Sequence, residues 1–164
     1  MLTPLFLEVG TTLEEATGIV QYLLVFVFAA IPVVEILVVV PIAIGLGLDP
    51  VATGLFAFAG NVGSVYVLIL FYDRLAAWWN SRSDEESEPS DRYARARRLW
   101  DRYGLPGVSV GGPVLTGVHI AAIVALLAGS RSRTVAAWMT IGIGAWTIVL
   151  VAASAFGVSL LRLA

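Results

Sequence analysis

Residues 18–48 read GIVQYLLVFVFAAIPVVEILVVVPIAIGLGL, an apolar run of 31 residues interrupted by Pro32, Glu35 and Pro41. As one helix the run would extend about 46 Å at 1.5 Å per residue, against a bilayer core of roughly 30 Å. It is too long for a simple span. Each proline removes a backbone donor and crowds the preceding turn, and Gly45 and Gly47 loosen the end of the run. The expectation is a helix over 13–31, opened near Leu13 by a capping box of Thr12 and Glu15. A re-entrant pair broken between Pro32 and Pro41 follows it and turns back near Asp49. Irregular backbone at membrane depth survives only where protein or a water-filled cavity satisfies it, so the break points to an interior site.

Three more apolar runs, 50–72, 104–129 and 134–161, are each long enough to cross a bilayer. The run at 104–129 is broken at its start by Gly104, Pro106, Gly107, Gly111, Gly112, Pro113 and Gly117. The composition agrees: 59% of the 164 residues are hydrophobic, 13% are charged and mean hydropathy is +0.88. Soluble domains run nearer 45–50% apolar and about 25% charged. A soluble enzyme is excluded. The absence of cysteine removes disulfides, thiolate metal sites and cysteine nucleophiles, and a lone His119 removes histidine-rich metal sites. No nucleophile–base arrangement, phosphate-cradling loop or metal cluster is present, so no enzymatic activity and no cofactor are expected. All ten basic residues are arginine, the bias of GC-rich, salt-adapted genomes, and the net charge of -2 gives no case for nucleic acid. Residues 1–17 carry Glu8, Glu14 and Glu15 without a basic segment, unlike a secretory signal.

Between the halves, residues 81–90 (SRSDEESEPS) read as a flexible loop. In 91–103, Tyr93, Ala96, Trp100 and Tyr103 recur at helical spacing among Arg92, Arg95, Arg97, Arg98 and Arg102. That pattern describes a basic helix lying on an anionic leaflet, with a solvated helix as the alternative. Seven of the ten arginines fall in 73–105, which places this linker in the cytoplasm of a multi-pass cell-membrane protein.

Sliding the chain on itself by 81 residues places Pro32-Val33 on Pro113-Val114; by 82 it places Gly47 on Gly129 and Gly60 on Gly142. Each half reads as a broken apolar run, a short polar loop and a long helix with a small-residue cluster. Paired interrupted segments of this kind point to a transporter-type binding site. The expected fold is an all-α polytopic membrane protein with two inverted-topology halves, each an interrupted re-entrant segment plus a long transmembrane helix. Its parts are an N-terminal helix (1–31), a first half-repeat (32–72), the cytoplasmic linker (73–103) and a second half-repeat (104–164), within one membrane domain.

Glu35 is the one acid inside an apolar run, where a carboxylate costs at least about 2.5–3.5 kcal/mol, with Asp as the measured proxy. It must be protonated, paired or wet. Either it carries a proton or cation at the base of a cavity, or it is a neutral acid bonded to backbone freed near Pro32. His119 follows the Pro113-x-x-Thr116-Gly117 turn, and its imidazole suits a proton relay to Glu35 if the two re-entrant tips meet at mid-membrane. It is equally a packing residue. Asn61, Ser64, Thr116 and Thr140 are substrate-path candidates, though most polar groups on such helices join neighbouring helices. Expected partners are the bilayer, a small-molecule or lipid substrate and protons or cations, with a homo-oligomer left open.

These motifs resemble the small multidrug export protein family, and more distantly the DedA-like (VTT-domain) membrane proteins. In the first half the family pattern is matched by Glu35, Pro41, Gly45 or Gly47, and Gly60-Asn61; in the second by Tyr103-Gly104, Gly107, Pro113, Thr116, Gly117 and Ala128-Gly129. Leu37 stands where the family often carries arginine, and Gly112 and Thr116 where DedA-like proteins carry arginines. The resemblance implies drug export, and the buried acid Glu35 makes a proton-coupled secondary exporter the expected function. The alternative is a DedA-like lipid or lipid-phosphate flippase or scramblase.

Overall fold

The computed structural model describes residues 3–32, 34–80, 104–107, 109, 111 and 117–161, and among them every regular element is helical. Helix α1 spans Thr3–Glu15, α2 Ile19–Ala30, α3 Glu35–Gly45, α4 Pro50–Asn80, α5 Val118–Leu127 and α6 Ser132–Leu161. Gly104–Gly107, Ser109 and Gly111 are helical as well. The interfacial-helix residues Arg95, Arg97, Arg98, Trp100 and Arg102, with Pro113 and Thr116, lie outside the described residues.

The expected helix over 13–31 is corrected to two helices. Gly18 takes φ 62°, ψ −134° as the N-cap of α2, a conformation that a residue with a Cβ adopts at a cost. Thr12 does not open a helix, because its hydroxyl donates back to the Glu8 carbonyl at 2.7 Å from inside α1. Gln21 Nε2 donates to Leu13 O at 3.0 Å and closes the α1 end. Helix α1 packs on α2 and α3 through Val9 and Leu13, both buried. Helix α2 ends where Ile31, the residue before Pro32, is forced extended at ψ 123°.

Pro41, expected to break the backbone, instead stands inside α3. Its ring is on the exposed side, while Val39, Val40, Ala43 and Ile44 are buried on the other. Packing of that face holds the helix through the one hydrogen bond the proline cannot donate.

Two compact units emerge, Met1–Ser64 with Ile143–Ala164 and Val65–Gly142, and α4 and α6 contribute to both. Pro50–Arg74 and Ser132–Leu161 are long and apolar enough to cross a membrane. They show their large side chains outward, Phe71 at 68% exposed and Ile148 at 71%, which water would penalise and acyl chains would not. By contrast α2, α3 and α5, of 12, 11 and 10 residues, reach only about 15–18 Å. None crosses alone.

One turn occurs twice. After α3, Gly47 (φ 92°) donates to Ile44 O at 3.0 Å and Leu48 to Ala43 O at 3.1 Å. After α5, 82 residues on, Gly129 (φ 86°) donates to Leu126 O at 2.9 Å and Ser130 to Ala125 O at 3.2 Å. Both are Schellman closures that need a left-handed glycine. Asp49 then caps α4, accepting from Ala52 N at 2.8 Å, with Pro50 in the first helical position.

Candidate functional site

Glu35 opens α3, only 4% exposed, and holds φ at 45°, the one described non-glycine residue at positive φ. Its N–H reaches Ile31 O at 3.2 Å across the proline turn. Such a conformation costs a residue with a side chain about 1–3 kcal/mol, and it persists only where the surroundings over-determine it. At the 82-residue offset stands Gly117, at φ 85°, as the N-cap of α5. Positive φ at a helix start is therefore carried once by glycine, without strain, as the N-cap of α5 at ψ 152°, and once by glutamate, with it, as the first residue of α3 after the N-cap Val34.

The long helices repeat the contrast. Along α4, Thr53, Ala57, Gly60, Asn61 and Val65 are buried; along α6, the offset positions Val135, Met139, Gly142, Ile143 and Thr147 are buried. The glycines are equivalent in kind: a Cβ on Gly60 would lie 2.1 Å from Phe26 O, and one on Gly142 2.2 Å from Ser109 O. Each long helix presses a glycine against a backbone carbonyl within its own unit, Gly60 against Phe26 in α2 and Gly142 against Ser109. Beside them the chemistry differs. Thr53 Oγ1 and both amide atoms of Asn61 are buried without a hydrogen-bond partner, where the second half has Val135 and Ile143. Leaving such groups unmade costs about 1–3 kcal/mol each.

Of the other expected site residues, Ser64 donates to Asn61 O at 2.9 Å. Thr140 donates to Ala136 O at 2.8 Å and pairs with the Tyr66 hydroxyl at 3.0 Å, which joins α4 to α6 within the second unit. His119 is buried at 5% exposure on α5. Glu35, Asn61 and Ser64 belong to the first unit, His119 and Thr140 to the second. Pro32 lies in the turn between α2 and α3. Thr53 escaped the sequence reading; its signal was the spacing of eight residues from Asn61, which puts both on one helical face.

A separate groove of about 470 Å³ lies in the first unit between the opening turns of α4 and the later part of α6. Its wall includes Gly54, Leu55, Phe58, Ile148 and Val151, and contains neither an acid nor an imidazole. Gly54 sits at its floor, where a Cβ would meet Val151 Cγ2 at 2.9 Å. Thr147, the polar residue of the wall, turns its hydroxyl back to Ile143 O at 2.7 Å. The groove accepts apolar matter only. Among the described residues no group of three metal-ligating side chains converges.

Comparison with known proteins gives a family model, described as "Putative small multi-drug export protein", that matches residues 35–149. Its matched segment opens on Glu35 and takes in Asn61, both glycine turns and most of α6. No curated protein and no solved structure matches. The similarity to DedA-like proteins finds no support in these comparisons.

Proposed function

The chain belongs to the small multidrug export protein family, and on that premise we propose that it is a multi-pass cell-membrane exporter coupled to protons through Glu35. The observation that carries this reading is Glu35 itself: buried, held at φ 45° and placed at a break between two short apolar helices. Glycine would start α3 at lower cost, as Gly117 starts α5, so the carboxyl is retained for what it does. Glu35 takes a proton from one face and releases it to the other as access alternates.

Helices α2 and α3, packed together and joined at Pro32, form one re-entrant hairpin of two half-length helices. Helix α5, which ends in the second glycine turn, belongs to the other half, which on this reading enters from the opposite face in an inverted repeat. The recurrence of the turn and of the buried face at a constant offset supports this arrangement, and the arginine-rich linker 73–103 sets it with the linker in the cytoplasm. Bilayer, protons and a small-molecule substrate are the partners.

The apolar groove favours one second reading, lipid translocation by a flippase or scramblase, because it would seat an acyl chain and nothing polar. Reconstitution into liposomes separates the two when proton flux and the transfer of a fluorescent phospholipid are followed in the same preparation. Proton flux that rises with protein content, without lipid transfer above empty liposomes, is expected. Lipid transfer without proton flux overturns the exporter reading.

A further inference from the structure

The two halves act as each other's control. Positions buried at the same register of α4 and α6 are filled by Thr53 and Asn61 in one half and by Val135 and Ile143 in the other. The fold therefore has no need of polar atoms there, yet three of them sit buried on α4 without a partner. Membrane helices keep such groups where a water-filled or solute-filled path opens beside them. Eight residues separate Thr53 from Asn61, about 12 Å along the helix axis, so the two mark levels of one strip. Ala57 lies between them and blocks nothing.

Charge decides what the strip takes. Residues 1–64, the part of the first unit that carries the strip, contain Glu8, Glu14, Glu15, Glu35 and Asp49 and not one arginine, lysine or histidine. A stretch of that charge sign carries a field that favours cations over anions at a strip whose own groups are amide and hydroxyl oxygens. We propose that the Thr53–Asn61 face of α4 is a water-accessible cation path, exposed when α4 parts from its neighbours, while the matching face of α6 stays dry. A solute cation, whether alkali metal or organic ammonium, exchanges part of its hydration for the Asn61 carbonyl and the Thr53 hydroxyl. This deepens the exporter reading and rests on it for direction of transport, but the path itself is testable without transport.

Because the chain has no cysteine, single cysteines can be placed at 53, 61, 135 and 143. Proteoliposomes carrying each are treated with trimethylammonium-ethyl methanethiosulfonate and with its sulfonatoethyl counterpart, which react with thiols that reach water. Modification of Thr53→Cys and Asn61→Cys by the cationic reagent should exceed that of Val135→Cys and Ile143→Cys by at least an order of magnitude. It should also exceed modification by the anionic reagent, a preference that Glu35→Gln weakens. Protection by choline chloride assigns an organic ammonium and protection by sodium chloride an alkali cation; either supports the path. Equal reactivity in the two halves, or no preference for the cationic reagent, overturns it.

The variants Thr53→Val and Asn61→Leu guard against mere misfolding, since each is isosteric and apolar. A melting temperature equal to or above that of the parent is expected, and a fall of several degrees in both would show the polar atoms to be structural. Cation-preferring modification in a protein that moves no protons would retain the path and discard the exporter reading. Proton flux without that modification would do the reverse.

Discussion

Gly117 and Glu35, 82 residues apart, each stand at the start of a short helix with positive φ, Gly117 as the N-cap of α5 and Glu35 as the first residue of α3, and they meet that demand with opposite means. Glycine enters the left-handed region freely; glutamate does so under strain and with a carboxyl to bury. On the long helices, 18 and 26 residues downstream, Val135 and Ile143 fill their register with methyl groups, whereas Thr53 and Asn61 leave three polar atoms without partners. Each departure in the first half lowers stability, and each is absent from the second. The second half fills these positions without strain or orphaned polar atoms, and on the proposed reading the difference is what function has added.

Sidedness offers the largest expected effect, because it is all-or-none. Cysteines at Leu46 and Ala128, equivalent positions in the two turns, should be labelled by an impermeant thiol reagent from opposite faces of the membrane. Labelling of both from one face would leave a repeated turn without an inverted repeat.

Packing comes next. Gly60→Ala and Gly142→Ala each drive a methyl into a backbone carbonyl that cannot move away as a side chain could. Both should lose about 3 kcal/mol or more, at the upper end of the usual cost of overpacking. Thermal unfolding in detergent measures this. If one tolerates alanine and the other does not, the two contacts are not equivalent.

Strain gives a smaller effect of opposite sign. Glu35→Gly removes a left-handed side chain costing about 1–3 kcal/mol and adds back about 1 kcal/mol of chain entropy. Its melting temperature should be at or above that of the parent, while Gly117→Ala, which puts a Cβ at φ 85° and ψ 152°, should lose about 1–3 kcal/mol. A clear fall for Glu35→Gly would mean that the carboxyl stabilises the turn.

Much of this architecture was legible in the sequence because it rests on backbone chemistry. Pro32 forces Ile31 extended, Gly47 and Gly129 close their helices, and Asp49-Pro50 opens α4; each follows from residue type. Thr12 misled because a threonine followed by a glutamate three residues on caps a helix in one context and sits within it in another. The deciding residue was Gly18, whose φ of 62° no local pattern announced. Pro41 misled for a different reason: whether a proline breaks a helix depends on how firmly the opposite face is packed, and burial of Val39, Val40 and Ala43 is a tertiary fact. At the site, Glu35 and Asn61 stood out as polar residues among apolar ones. Thr53 did not, since a threonine in a membrane helix usually bonds to its own backbone; its spacing from Asn61 was the one hint in the sequence, and the orphaned hydroxyl is what singles it out in the structure.

The exporter account depends most on Glu35 as the group that moves protons. The direct measurement compares the parent with Glu35→Gln in proteoliposomes under an imposed pH gradient, because glutamine keeps the size and hydrogen bonding of the side chain but cannot titrate. The account predicts that proton flux falls to the level of empty liposomes while the variant remains inserted and melts as the parent does. Full pH-dependent flux in Glu35→Gln would contradict it.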